Sequence, residues 1–527
     1  MEDKDIYPIG QQDFKTLRER KACYIDKTAF IEKIARSRTQ YYFLARPRRF
    51  GKSLFLSTLK YFFEGRRELF KGLYIDSSDW DWEPYPILHL DLNTDRFAEP
   101  NVLDDVLETQ FIDWEEQYGI TEKMETYSQR LKTIIKKVHE KTGKQVVILV
   151  DEYDKPLVSN LKNSDNFNRY RTQLASLYSN FKSSAEHIRL VFLTGISRFS
   201  KLSVFSDLNN LDDISFDDDY ADRCGITERE LLENLSEGIS ELSAKRKEDF
   251  ATTCSRLKLN YDGYRFAPEG SDIYNPWSVL SCLKKSRIGA YWNATGTSTI
   301  IVEALRDADV DIEDTLNGSW DLDDLAGLDL LNADPTALLY QTGYLTISDY
   351  DTDSNRVRLK VPNEEVRKGL FNNLLDAYLK PKSGTVKSIV DGIRKGIEGG
   401  KPDEMMKSLD AYFAGIPYDL KMDNENNFHN AFYILTTLIG IDAKAEAHTS
   451  DGRLDLLIET PKFIYVIELK YDATPEQALR QIEEKGYARK FAVDSRKLFK
   501  IGVNFSSETR RIEGWRILED SHRPQAG

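Results

Sequence analysis

The sequence predicts two α/β units joined by a helical region, and three observations carry that expectation. Apolar, β-rich runs separated by helix-like stretches recur through the first 200 residues. Helical periodicity takes over from about 220 to 380. A β-ribbon with charges at alternate positions then follows a Gly- and Lys-punctuated stretch at 380–402. Continuous apolar strands alternating with helices imply a parallel sheet covered on both faces. The expected domains are 1–218, 219–380 and 381–527, which suits a chain of 527 residues.

Composition narrows the class. Hydrophobic residues at 40% and charged residues at 30% describe a globular chain, and no apolar run approaches the roughly 20 residues needed to span a bilayer. The opening MEDKDIYPIG lacks an apolar h-region, so a cytoplasmic protein without membrane contact is expected. Cys23, Cys224, Cys254 and Cys282 are too scattered for a zinc cluster or a disulfide framework. The net charge of −14 is concentrated: residues 303–334 hold eleven acids against the single base Arg306. That run is expected to be a solvated face or a lid.

In chain order, TQYYFLA (39–45), YPILHLDLN (85–93), QVVILVDEYD (145–154) and RLVFLTGIS (189–197) read as the strands of the first sheet. Helical spacing such as ERELLENLSEGISEL (228–242) follows. Residues 337–371 read as a helix, two strands joined by a polar turn, and another helix, a pattern resembling a winged helix. With no basic recognition helix, contact with another domain is the favoured role over DNA binding.

The first chemical signal is FLARPRRFGKSLFLSTL, residues 43–59. A phosphate loop works because backbone N–H groups of a turn opening into a helix surround an anion. The pattern G-x-x-x-x-G-K-[ST] would put its first glycine at Arg46, so that position is lost. Gly51 still allows close backbone approach, Lys52 supplies the phosphate cation and Ser53 the magnesium hydroxyl. The tripeptide alone says little, and a second element decides. VVILVDEYD is an apolar strand ending in Asp151, suited to hold magnesium through water, and Glu152, suited to orient the attacking water. The run ending at Thr194, with Arg198 just beyond, suits a sensor position beside the γ-phosphate.

YPIGQQDFKTLRERKACYIDKTAFIEKI, YYFLARPRRFGKSLFLSTLKYFFEG and VILVDEYDKPL together resemble the AAA-ATPase-like family of bacterial proteins. The similarity continues through YDGYRF and YNPWSVL, within 261–280. That family carries R-P-R-R-F-G-K-S as its own form of the loop. The resemblance implies that Arg46, Arg48 and Arg49 add positive charge at the nucleotide. Asp26 and Lys27 match the family stretch Y-[IV]-D-K-T, whose role is either close to the nucleotide or a helix cap.

The second signal lies near the C-terminus. In the strand Arg453–Ile458, Asp455 alternates with Leu454, Leu456 and Ile458. In the strand Phe463–Lys470, Glu468 and Lys470 fall on one face because side chains repeat every two residues. Asp455 and Glu468 would repel if buried together unless a divalent cation sits between them. Magnesium or manganese there would suit attack of water on a phosphodiester, with Lys470 positioning or activating that water. This D, twelve residues, E-x-K arrangement resembles the PD-(D/E)XK nuclease superfamily, whose restriction-endonuclease-like α/β fold is the expectation for 381–527. Asp455, Glu468 and Lys470 carry over from it. Glu425 or His429 on a preceding helix, Glu446 on the preceding strand, and Gln481 with Lys485 and Tyr487 beyond are further candidates.

The expectation is therefore an ATP- and magnesium-using nuclease acting on nucleic acid, DNA in preference to RNA, with a homo-oligomer compatible. The competing reading is a nucleotide-dependent regulatory switch that binds nucleic acid or a protein partner without cutting. A third is a nuclease whose ATPase is dead.

Overall fold

The computed structural model describes residues 6–94, 96–99, 101–161, 163–197, 210–292, 305, 310–326, 334–379, 385–414, 430, 433–438, 442–449, 452–506, 508–509 and 511–519. The chain divides into two compact units. One comprises Met1–Thr295 with Ser319–Arg367, and the other Gly296–Gly318 with Lys368–Gly527.

The first unit is built on five parallel strands: β1 (Tyr41–Ala45), β2 (Ile87–Asp91), β3 (Val146–Asp151), β4 (Ile188–Gly195) and the short β5 (Asp212–Asp213). Their spatial order is β2-β3-β4-β1-β5. All residues of β1 and β3 are buried, which is why these runs are apolar without alternation. The helix Lys52–Phe63 packs on β2, β3 and β4 through Phe55, Leu56, Leu59 and Phe63, and the helix Tyr127–Thr142 packs on β3. Parallel strands present their carboxyl ends on one edge, so Ala45, Asp91, Asp151 and Gly195 end together there. Ligands of open parallel sheets bind at that edge.

Beyond the sheet come the helices Glu228–Arg246, Phe250–Tyr261 and Pro276–Lys285. They share a core of Leu231, Leu235, Ile239, Leu257, Val279 and Leu283, among others. The first opens on a capping box between Thr227 and Glu230. The helix Pro335–Thr342, strands β7 (Thr346–Asp351) and β8 (Arg356–Lys360), and the helix Glu364–Leu379 follow in the order expected. A third strand, β6 (Ser319–Asp321), pairs antiparallel with β8 to give the order β6-β8-β7. It lies within the acidic run that the sequence led us to expect as a solvated face or lid. Two acids of that run cap helices: Asp311 accepts the Asp314 N–H at 2.9 Å, and Asp334 accepts the Thr336 N–H at 2.7 Å. Carboxylates at helix N-termini satisfy free backbone donors and oppose the positive end of the helix dipole.

The second unit contains a five-stranded sheet of β9 (Asp442–Thr449), β10 (Gly452–Glu459), β11 (Phe463–Tyr471), β12 (Lys497–Ser506) and β13 (Arg511–Glu519), in sequential order. Only β11 and β12 run parallel. The connection between them carries the helix Pro475–Glu484. Its Leu479 and Ile482 pack on Leu457, Ile464, Val466 and Leu498. On the opposite face the Tyr465 hydroxyl donates to the Ile397 carbonyl at 2.7 Å, tying the sheet to the helix Thr385–Glu398.

Candidate functional site

The loop after β1 turns because two of its residues adopt left-handed backbone angles, Arg49 at φ 69° and Gly51 at φ 91°. Among the described residues no side chain crowds the position of a Gly51 Cβ, so the requirement for glycine there is conformational. Gly51 is the N-cap of the helix Lys52–Phe63, and it offers no side-chain acceptor to the free N–H groups of the first turn. Those donors remain for an anion.

The loop opens on a cavity of about 460 Å³. Gly51, Lys52 and Ser53 form one wall, and Glu152, Asn93 and Lys155 lie on the side of the strand ends. Apolar groups, including Ile9, Ile25, Pro276 and Trp277, complete the lining. Lys52 is 4% exposed, with its Nζ 3.5 Å from Glu152 Oε1 and 3.4 Å from the Pro47 carbonyl. The loop cation is thus held at the cavity by an acid and a carbonyl, contacts that an anionic ligand could replace.

Asp151, at the end of β3, accepts the Thr194 hydroxyl at 2.5 Å. Thr194 is fully buried and addresses the carboxylate. Ser53 and Glu152 line the cavity, whereas Asp151 is not among its lining residues.

The three loop arginines have separate fates. Arg46 is 2% exposed and does not line this cavity. Its guanidinium donates to the carbonyls of Ala45 (2.9 Å), Ser215 (2.6 Å) and Ala221 (3.5 Å) and lies 4.5 Å over the Phe266 ring. The site-residue expectation therefore departs from the structure at Arg46, because a guanidinium engaged by backbone carbonyls under the loop is turned from the ligand space. Arg48 and Arg49 do line the cavity. Arg49 also donates to the carbonyls of Tyr291 (2.6 Å) and Trp292 (3.2 Å) and stacks 4.0 Å over Trp277. Arg198 lies outside the described residues.

The Asp26 carboxylate accepts the Thr28 N–H at 2.9 Å and the Tyr74 N–H at 2.7 Å, beside the start of the helix Thr28–Arg36, whose N-cap is Lys27. Lys27 pairs with Glu230 at 2.6 Å and lines the cavity. Sequence reasoning missed Asn93 and Lys155, which bond to each other at 2.7 Å beside the cavity. Their signal was position: Asn93 follows β2, and Lys155 ends the D-E-Y-D-K run after β3.

In the second unit, Leu456 of β10 pairs with Ile467 of β11, and Asp455 and Glu468 are the next residues along the two strands from that pair. On the other side, the pairs Leu454–Ala447 and Leu456–Ala445 bracket Asp455 and Glu446. The side chains of Asp455 and Glu446 lie outside the described residues, as do Glu425 and His429. The structure does bring Glu468 and Lys470 together: Lys470 Nζ is 3.0 Å from Glu468 Oε1, with Glu468 1% exposed and Lys470 reaching toward solvent. Tyr487 is buried in the core under the helix Pro475–Glu484, Gln481 is half-buried, and Lys485 is exposed at the helix end. Tyr487 thus has a packing role.

A family model described as "Predicted AAA-ATPase" matches residues 8–205, and one described as "PD-(D/E)XK nuclease superfamily" matches residues 423–515. The chain is also 33% identical over 527 residues to a protein of Azotobacter chroococcum mcd 1 described as "Uncharacterized protein in vnfD 5'region", covering 96% of this chain and 98% of that one. No helix among the described residues is long and apolar enough to cross a membrane. The chain belongs to the AAA-ATPase-like family, with a phosphate-loop ATPase domain in its N-terminal part and a PD-(D/E)XK nuclease superfamily domain toward its C-terminus.

Proposed function

We propose that the protein binds and hydrolyses ATP at the Gly51–Lys52–Ser53 loop and cleaves phosphodiester bonds of DNA at the β10–β11 ribbon, with magnesium at both sites. The observation that carries the ATPase half is the Lys52–Glu152 pair, 3.5 Å apart at a cavity walled by the loop. Phosphate oxygens would take Lys52 from Glu152, and Glu152 would then be free to orient a water for attack on the γ-phosphorus. Asp151, which accepts the Thr194 hydroxyl, and Ser53 would hold the magnesium, an oxygen donor set suited to that ion, which when bound would neutralise charge on the phosphate chain.

For cleavage, the reading is supported by the Glu468–Lys470 pair, whose carboxylate is buried while the ammonium reaches solvent. Glu468 and Asp455 would hold the ion, which supplies charge neutralisation at the scissile phosphate. Lys470 would position the attacking water. The test is incubation of purified protein with linear, circular and single-stranded DNA and with RNA, with and without ATP and magnesium. Magnesium-dependent cleavage of DNA that is lost in Asp455→Ala supports the reading. ATP binding without cleavage of any of these substrates would replace it with a nucleotide-dependent binding protein.

A further inference from the structure

The turn after β3 meets the exit of β4 residue by residue. Asp151 takes the Thr194 hydroxyl. The Tyr153 N–H donates to the Thr194 carbonyl at 2.9 Å, and its hydroxyl donates to the Ser197 carbonyl at 2.8 Å. Asp154 is fully buried, and its Oδ2 accepts the N–H groups of Ile196 (3.0 Å) and Ser197 (2.7 Å) together with the Ser197 hydroxyl. Gly195 leaves the space this requires: a Cβ there would stand 2.5 Å from the Tyr153 ring and 2.7 Å from Asp154 Oδ1. Glu152 is the exception in the turn. Its backbone is left-handed at φ 54°, and its side chain lines the cavity and meets Lys52.

We propose that Asp154 is a positioning residue of the ATP site, clamping the β4 exit so that the strained turn holds Glu152 toward the loop. The inference rests on reading the cavity as an ATP site. A left-handed non-glycine residue persists only where its surroundings over-determine it, and here the determinants are the bonds on both sides of Glu152. Burying a carboxylate is costly without full hydrogen bonding. Oδ1 of Asp154 has no partner among the described residues. A buried acid held at that cost beside Glu152 and Lys52 points to a role beyond packing. Through Ser197 the same clamp fixes the chain just before residue 198.

The test uses the full chain as wild type, Asp154→Asn and Ser197→Ala, with a fluorescent ATP analogue for affinity, steady-state hydrolysis, and hydrogen exchange with a non-hydrolysable ATP analogue and magnesium. Asp154→Asn is expected to bind within about threefold of wild type while kcat falls at least about tenfold, because misplacing a catalytic group costs rate more than binding. The analogue should protect residues 46–55 in both proteins and residues 192–197 in wild type alone. Ser197→Ala, which removes one donor and leaves the acid, should lower kcat by about threefold, and it decides the matter if Asp154→Asn does not fold. Wild-type kcat in the folded variants, unchanged protection of 192–197 in Asp154→Asn, or affinity falling in step with rate would each overturn the proposal. An unprotected 46–55 segment in wild type would instead overturn the ATP reading beneath it, so the two failures are distinguishable.

Discussion

Replacing Glu152 with glutamine should separate binding from hydrolysis in opposite directions. In the structure Glu152 Oε1 is 3.5 Å from Lys52 Nζ, with Lys52 buried and the Glu152 side chain 14% exposed. At an effective dielectric near 20 the gross attraction at that distance is about 5 kcal/mol. Desolvation of both charges and solvent access to the acid offset most of it, leaving a net coupling of about 1 kcal/mol. ATP must overcome that coupling to take Lys52, so Glu152→Gln should bind ATP about fivefold more tightly. The same change removes the carboxylate that orients water, a contribution of about 10²–10⁴ in rate. Titration with a fluorescent ATP analogue and a steady-state phosphate-release assay read the two effects on one sample. Weaker ATP binding than wild type, or a hydrolysis rate within about threefold of it, would refute the assignment of Glu152 as the resting partner of Lys52 and the water-orienting group.

Other expected outcomes follow from single residues. Gly195→Ala sets a Cβ against the Tyr153 ring and Asp154, so overpacking should cost about 1–3 kcal/mol in chemical denaturation; an unchanged midpoint would contradict the packing described. Arg46→Met removes donors to three carbonyls and should destabilise the fold by about 2–4 kcal/mol, while the ATP affinity of the folded protein, read by titration, stays close to wild type. Burial, then the nearby Glu152, raise the Asp154 carboxyl above its ordinary value, so the folded state binds the extra proton and this group's contribution is present at acid pH and lost as pH rises. The stability of Asp154→Asn relative to wild type should therefore improve as pH rises from about 4 to about 7, measured by urea denaturation at each pH.

Much of the fold was legible because burial on both faces leaves continuous apolar runs. The strands expected at 39–45, 85–93, 145–154 and 189–197 correspond to β1 through β4. The short β5 was not legible, since Asp212–Asp213 pairs with β1 through backbone groups and has no apolar signature. β6 was hidden for the same reason, lying in an acidic run where hydropathy predicts solvent. At the site, Lys52, Ser53 and Glu152 could be placed because strand, turn and helix fix where their side chains go. Arg46 could not: sequence adjacency to a phosphate loop does not say on which side of the backbone a long side chain leaves, and here the carbonyls of Ser215 and Ala221, 169 and 175 residues away, capture it. The partnership of Asp154 with residues 196–197 was equally invisible, because it depends on the lateral pairing of β3 with β4.

The central claim, ATP turnover and phosphodiester cleavage by separate sites of one chain, is tested most directly by following phosphate release and DNA cleavage in the same magnesium-containing reaction for wild type, Lys52→Ala and Glu468→Ala. Both activities are expected in wild type, loss of phosphate release in Lys52→Ala, and loss of cleavage alone in Glu468→Ala. Cleavage that survives Glu468→Ala, or phosphate release that survives Lys52→Ala, would contradict it.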